Sequence, residues 1–255
     1  MTPYEMVAVL AAGVGAGAAN AVVGNGTLIT FPVLLAVGLP PVTAVVSNAL
    51  GLVPGSVSAA VGYRAALAGQ RRRVLRLCVG ALFGGICGAV LLLVLPAAAV
   101  ERIVPVLVGL ALVLVACQPL IARRAARRRA AAGGPGPRGE GPPLLAGLTL
   151  ASVYGGYFSA SQGILYLALM NAFLDEPLHR LNAIKNVLVA VVNSVAALVF
   201  LFVARFDWTA VLLIAVGSTV GGQVGARLAG FLRPAVLRAL IVAVGALGLA
   251  ELLRH

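Results

Sequence analysis

The chain has 255 residues, of which 61% are hydrophobic and only 10% charged, and its formal net charge is +12. So apolar a chain cannot be folded around one aqueous core, which makes the bilayer its solvent. Nucleic acid is excluded as the reason for the positive charge, because the arginines are concentrated in breaks between apolar segments.

In chain order the first apolar region is 5–37, preceded by no positive stretch and carrying Glu5, so a cleaved signal peptide is not expected. As one straight helix it would be about 50 Å long against a hydrocarbon core about 30 Å thick, so it must be interrupted. The run Gly24-Asn25-Gly26-Thr27 is the place for the break, since glycine permits non-helical angles and Asn or Thr can cap a restarting helix. Apolar stretches follow at 42–63, 74–95, 103–121, 144–173, 181–204, 208–228 and 236–253, each long enough to span. The fold expected is an all-α integral membrane protein with about eight transmembrane segments. Residues 1–121 form a first repeat, 122–143 a basic Gly/Pro-rich cytoplasmic linker, and 144–255 a second repeat.

The division into repeats rests on self-similarity at an offset of 137: Gly26 falls on Gly163, Pro40 on Pro177, and Ala59-Ala60 on Ala196-Ala197. The series Gly80, Gly84, Gly85, Gly88 falls likewise on Gly217, Gly221, Gly222, Gly225. Glycines and prolines fix backbone geometry rather than chemistry, so a shared pattern implies two copies of one backbone design, a hallmark of transporters. The four-residue spacing of the second series, like Gly13 and Gly17, is read as close helix packing, with Gln223 a polar exception. If each copy has four crossings, an even number, the copies are parallel about an axis near the membrane normal; an odd number would invert them, and the first segment of each copy is the one most able to change the count. Rocking of one copy against the other is the expected route to alternating access.

Arg64, Arg71, Arg72, Arg73 and Arg76 follow the second span, and Arg123, Arg124, Arg127, Arg128, Arg129 and Arg138 the fourth. Breaks two spans apart share a side, and by the positive-inside rule that side is the cytoplasm. Both termini are then expected inside, with Arg205 and Arg254 agreeing and Arg102, Arg227 and Arg233 dissenting. The cluster from Arg123 to Arg129 also suits anionic lipid headgroups.

The second copy carries Ser161-Gln162-Gly163 where the first carries its break. A broken membrane helix leaves unpaired N–H groups and a partial positive charge at the restart, which suits an anion. Lys185 is the only lysine, placed about 12 Å along a helix that starts at Pro177, a depth at which ionisable groups face a pathway or a partner. Its counterpart in the first copy is Asn48, beside Ser47, and with Asn186, Asn193 and Asn20 these form a polar set.

The duplicated plan, the interruption before Phe31-Pro32, the Ser47-Asn48 and Lys185-Asn186 pairs and the basic central loop resemble the TauE/SafE family of sulfite-exporter-like permeases over nearly the whole chain. The resemblance implies transport of small sulfur-containing or organic anions such as sulfite, sulfoacetate or thiosulfate across the cytoplasmic membrane. This chain departs from the family's more glycine-dense first motif by placing Asn25 between its glycines.

The expected site is therefore Asn20, Gly24, Asn25, Gly26, Thr27, Ser47, Asn48, Ser161, Gln162, Gly163, Lys185 and Asn186, holding an anion by helix-start N–H groups, the Lys185 charge and side-chain amides. No acid lies in mid-span, so no carboxylate proton relay is expected. Cys78, Cys87, Cys117 and the two histidines have no ligand spacing, so neither metal nor cofactor is expected. The absence of a nucleophile–base pair argues against an enzyme. The partners expected are a small anion and the lipid bilayer, with a homo-oligomer left open; an anion channel and a non-transporting scaffold are the alternatives.

Overall fold

The structure is a computed structural model that describes residues 1–131, 141–228 and 234–252, and among these no strand occurs. The helices are α1 (Pro3–Val22), α2 (Thr27–Ala36), α3 (Pro41–Gly62), α4 (Arg71–Val94), α5 (Ala97–Ala131), α6 (Pro142–Phe158), α7 (Gln162–Phe173), α8 (Leu178–Leu201), α9 (Trp208–Leu228) and α10 (Pro234–Leu252), with a 3-10 turn at Arg64–Leu67. Among the described residues six segments are long and apolar enough to cross a membrane: α1, α3, α4, Arg102–Ile121 within α5, α8 and α9. The expected linker differs at its start, because α5 runs on to Ala131. Its Gly/Pro-rich part at 132–140 lies outside the described residues, as do Arg233 and Arg254.

Local chemistry sets the helix starts. Thr2 and Glu5 form a reciprocal capping box around Pro3 at the first position of α1. Pro41 occupies the first turn of α3, and Pro177 directly precedes α8, its fixed φ suited to a helix start.

At both interruptions the chain reverses, so the expectation of one crossing helix with a gap in it does not hold. Gly26 packs back on Ala16 and Asn20, and Ile29 on Gly15, so α2 returns along α1. The second copy repeats this: Gly155 meets Gln162, Ser152 hydrogen-bonds Tyr166 at 2.7 Å, and Gly147 meets Leu169. Each pair is a helical hairpin. A left-handed residue makes each reversal, Gly24 (φ 91°) in the first and Ser159 (φ 61°) and Ser161 (φ 58°) in the second.

Helix directions follow from which residues touch. Gly13 lies against Ile214 and Gly17 against Ser218, while Gly51 also meets Ile214 and Gly55 Ser218, so α1, α3 and α9 run the same way. Along α4 and α6, Gly80 meets Thr149, Gly84 Ser152 and Gly88 Val153, another parallel pair. The start of α8 is fixed beside the end of α3: Arg180 donates to the carbonyls of Ala66 and Ala68, and Glu176 bridges Arg180 and Arg73 at 2.9 and 2.6 Å. Helices α3 and α8, counterparts at the 137 offset, are therefore antiparallel. The parallel relation fails because the returning hairpin adds a reversal that a count of hydrophobic stretches misses.

The same directions place the basic residues. The Arg64–Leu67 turn, the start of α4 and the start of α8 share one face, which we call the basic face, and α5 ends there. Helix α1, parallel to α3, starts on the opposite face, and α10, antiparallel to α5 through Gly245–Leu112 and Gly109–Leu249, ends there. The start of α1 and the end of α10 thus lie on the face opposite the described arginine clusters, whereas the sequence predicts both termini on the arginine side; residues 253–255 lie outside the described residues.

Packing crosses between the two halves of the chain. Helix α1 packs on α9 and α2 on α10, while α6 packs on α4 and α7 on α5. Glycine-lined seams bring these backbones together, and Leu75, Val79, Phe83, Leu150 and Leu212 point outward as an apolar surface fit for lipid.

Candidate functional site

The two hairpin tips meet. Gly24 lies directly against Gly163, and the Thr27 hydroxyl donates to the Ser159 carbonyl at 3.3 Å. Behind them α3 and α8 cross where Asn193 Nδ2 donates to Ser56 Oγ at 3.1 Å. Those two residues are 137 apart, so each is the other's counterpart.

Three buried polar groups surround this junction. In the first, Asn48 donates to Thr27 Oγ1 at 3.2 Å and accepts from the Thr30 hydroxyl, fixing the first turn of α2 to α3. In the second, Asn193 Oδ1 accepts from Gln162 Nε2 at 3.1 Å and from Ser159 Oγ at 3.3 Å, fixing the start of α7 to α8. The third gathers on the end of α1. Lys185 Nζ donates to the carbonyls of Asn20 at 2.9 Å and Ala21 at 3.2 Å, and Asn186 Nδ2 donates to Ala21 at 3.3 Å.

The third group alters the expected part of Lys185. It is fully buried, and its ammonium is engaged by the last-turn carbonyls of α1, which lack intrahelical partners and carry the negative end of the helix dipole. These hydrogen bonds tie the end of α1, and with it the first hairpin, to α8. Asn20 acts alongside it, because its Oδ1 accepts from the Gly26 N–H at 3.2 Å and ties the start of α2 to the end of α1. The first turn of α7 has no side-chain cap, for the Ser161 hydroxyl donates instead to Ala111 of α5 at 3.2 Å. Ser47 stands apart from the tips: its hydroxyl accepts from the Asp207 N–H at 3.0 Å, beside the start of α9.

Asn25 is the exception to this satisfied network. It is wholly buried at the tip of the first hairpin, and neither its Oδ1 nor its Nδ2 has a hydrogen-bond partner. Gln162 Oε1 is likewise unpartnered. Buried amides without partners are costly and rare, and a ligand is one of the reasons they are kept.

A cavity of about 300 Å³ leads from the basic face toward the tips, with Val22, Val23 and Ile164 at its inner end and Tyr63, Gln118, Asn171, Asn182 and Arg238 along its walls. On the opposite face, among the described residues, Phe31 packs on Phe158 edge-to-face at 5.4 Å, and Leu34 and Phe200 are fully buried. Sequence reasoning missed Thr30, Ser56 and Ser159 in the junction and the five wall residues. Their only signal was polarity within apolar stretches, and a lone Ser or Thr there is commonly bonded within its own helix.

Comparison with known proteins adds to this geometry. Residues 9–252 match the family described as sulfite exporter TauE/SafE. The chain is 28% identical over 249 residues to the probable membrane transporter protein YfcA of Escherichia coli K12, covering 93% of this chain and 86% of that protein. It is 25% identical over 232 residues to the probable membrane transporter protein ORF9 of a Sinorhizobium species, covering 90% and 85%. A probable membrane transporter protein of Haemophilus influenzae is 23% identical over 212 residues, covering 82% and 79%. No solved structure matches the chain. With a family match across nearly its whole length and a bundle of apolar helices around a buried polar junction, the chain belongs to the sulfite exporter TauE/SafE family and is a multi-pass membrane transporter protein.

Proposed function

We propose that this chain is a secondary carrier or facilitator for a small anion, foremost a sulfur-containing oxyanion or sulfonate such as sulfite, across the cytoplasmic membrane, and that it performs no enzymatic chemistry. The observation that carries the reading is Asn25: a fully buried amide with both polar atoms unpartnered, at the meeting point of two hairpin tips. Asn25 and Gln162 supply adaptable hydrogen bonds there, and the uncapped start of α7 contributes N–H groups and positive dipole. Lys185 and Asn20 act as positioning residues. The family's description supports sulfite as the first substrate to try.

Six crossings fit this arrangement, made by α3, α4, α5 and α8, α9, α10, if each hairpin enters from its own face and returns, so that the other two of the eight expected segments are re-entrant. The copies are then inverted, about an axis in the membrane plane through Ser56 and Asn193. With the basic face cytoplasmic, Arg64, the arginines of α4, those at the end of α5, Arg180, Arg227 and Arg238 lie inside and Arg102 and Arg205 outside, and both termini fall outside. The moving bodies are mixed in parentage, α1–α3 with α9–α10 against α4–α8, because those are the helices that pack together. The apolar packing around Phe31 and Phe158 favours alternating access over a standing pore.

The test is Asn25→Ala in proteoliposomes supplied with sulfite, thiosulfate, sulfoacetate and carboxylates. Removing an unpartnered buried amide should raise stability by about 1–3 kcal/mol, while anion flux falls at least about tenfold. A variant that melts higher and transports as well as the parent would refute the assignment.

A further inference from the structure

The cavity on the basic face has chemistry of its own. Arg238 lines it and makes no ion pair among the described residues, whereas Arg73 and Arg180 on the same face are held by Glu176. Gln118 Oε1 and Asn182 Oδ1 are buried without partners on the same walls. An ionisable group in the wall of a membrane cavity is retained where it meets a partner or a permeant.

The duplication supplies an internal control. At the 137 offset, Tyr63 corresponds to Phe200, Asn171 to Leu34, Asn182 to Val45 and Arg238 to Glu101. Phe200, Leu34 and Val45 form a closed apolar core. At three of these four positions the basic face is polar where the opposite face is apolar, and at the fourth it carries a cation where the counterpart is an acid, so the lining answers to something that arrives there.

We infer that this cavity is an anion-binding antechamber, with Arg238 as its charge and the Gln118 and Asn182 amides as its turning hydrogen-bond groups, which collects a small oxyanion or sulfonate from the basic face before it reaches the hairpin tips. A carboxamide turned by 180° presents either a donor or an acceptor, so two amides beside one guanidinium suit oxyanions in either protonation state. The inference rests on the carrier reading for what happens next, but binding in the antechamber stands without it.

The experiment uses the full chain with Cys78, Cys87 and Cys117 replaced by Ala and one reporter thiol introduced in the cavity wall by Ala168→Cys, or by Ile121→Cys as a second reporter should the first not fold. Labelling rates are compared for an anionic (sulfonatoethyl) and a cationic (trimethylammonioethyl) methanethiosulfonate, in vesicles of neutral lipid and with added phosphatidylglycerol. The expected result is that the anionic reagent labels faster by about tenfold or more, that Arg238→Gln abolishes this preference while Arg238→Lys retains it, and that inorganic sulfate protects the thiol. Equal rates before and after Arg238→Gln overturn the inference. Protection by phosphatidylglycerol but not by sulfate also overturns it, assigning Arg238 to a lipid headgroup. In parallel, Arg238→Gln should raise the KM for sulfite offered from the basic face and leave that from the other face unchanged. If labelling behaves as expected and no probe anion is transported, the antechamber holds and the carrier reading fails.

Discussion

The contact between the hairpin tips can be tested with three single-methyl insertions that separate backbone strain from collision. A Cβ on Gly24 would lie 2.7 Å from the Cα of Gly163, and Gly24 also has φ 91°. A Cβ on Gly163 would lie 2.7 Å from the Cα of Gly24 and 3.2 Å from the Lys185 side chain, without the positive φ. Gly38, in the turn between α2 and α3, has φ 86° and nothing within 4 Å. Gly38→Ala therefore incurs strain alone, about 1–2 kcal/mol, and Gly163→Ala collision alone, about 1–3 kcal/mol. Gly24→Ala incurs both, about 2–5 kcal/mol, which should approach the sum of the other two. The assay is equilibrium unfolding in mixed micelles with all three variants side by side, together with anion flux, which the Gly24 and Gly163 variants should lower and Gly38→Ala should spare. A Gly24→Ala variant no worse than Gly38→Ala, with Gly163→Ala neutral, would mean that the tips do not touch.

Lys185→Met should insert and melt within about 1 kcal/mol of the parent, because relief of a buried charge offsets the two lost hydrogen bonds, yet loosen the end of α1 and lower flux; unchanged uptake in proteoliposomes removes Lys185 from the mechanism. Burial raises the Glu176 carboxyl pKa, but hydrogen bonds and charge from Arg73 and Arg180 outweigh it and hold the group below the usual carboxylate range. A depressed folded-state value means stability that is present above the unfolded pKa and lost as pH falls through the folded one, so the parent should lose stability on acidification and Glu176→Gln should not; parallel pH-dependent curves would refute the bridge. Gly221→Ala drives a methyl into the Val14 carbonyl oxygen and should destabilise the α1–α9 seam by about 1–3 kcal/mol or more, whereas Gly109→Ala, with its nearest neighbour at 4.0 Å, should be neutral to stabilising; equal melting of the two would count against the seam.

The polar candidates read from the sequence divide by how local their interactions are. Gly24-Asn25-Gly26-Thr27 and Ser161-Gln162-Gly163 lie at the two reversals, because glycine, left-handed turns and polar caps are properties of a short stretch of chain. Asn48 was legible as a polar counterpart of Lys185, but its bonds to Thr27 and Thr30 were not. Ser47 neighbours Asn48 in sequence only: successive residues on a helix point about 100° apart, which sends its hydroxyl to Asp207. Lys185 was identifiable by its depth, yet whether its ammonium meets open space or the carbonyls of Asn20 and Ala21 depends on where α1 ends in three dimensions.

The sequence by itself determined the solvent, the helical class and the position of both interruptions, since composition and the placement of glycine and proline act through local backbone chemistry. Only the tertiary structure decided that the chain reverses at Gly24 and again between Ser159 and Ser161, and with it the antiparallel relation of α3 and α8 and the faces on which α1 starts and α10 ends. A break permits either continuation or return, and the choice is made by packing against helices of the other copy, which no window of contiguous residues contains.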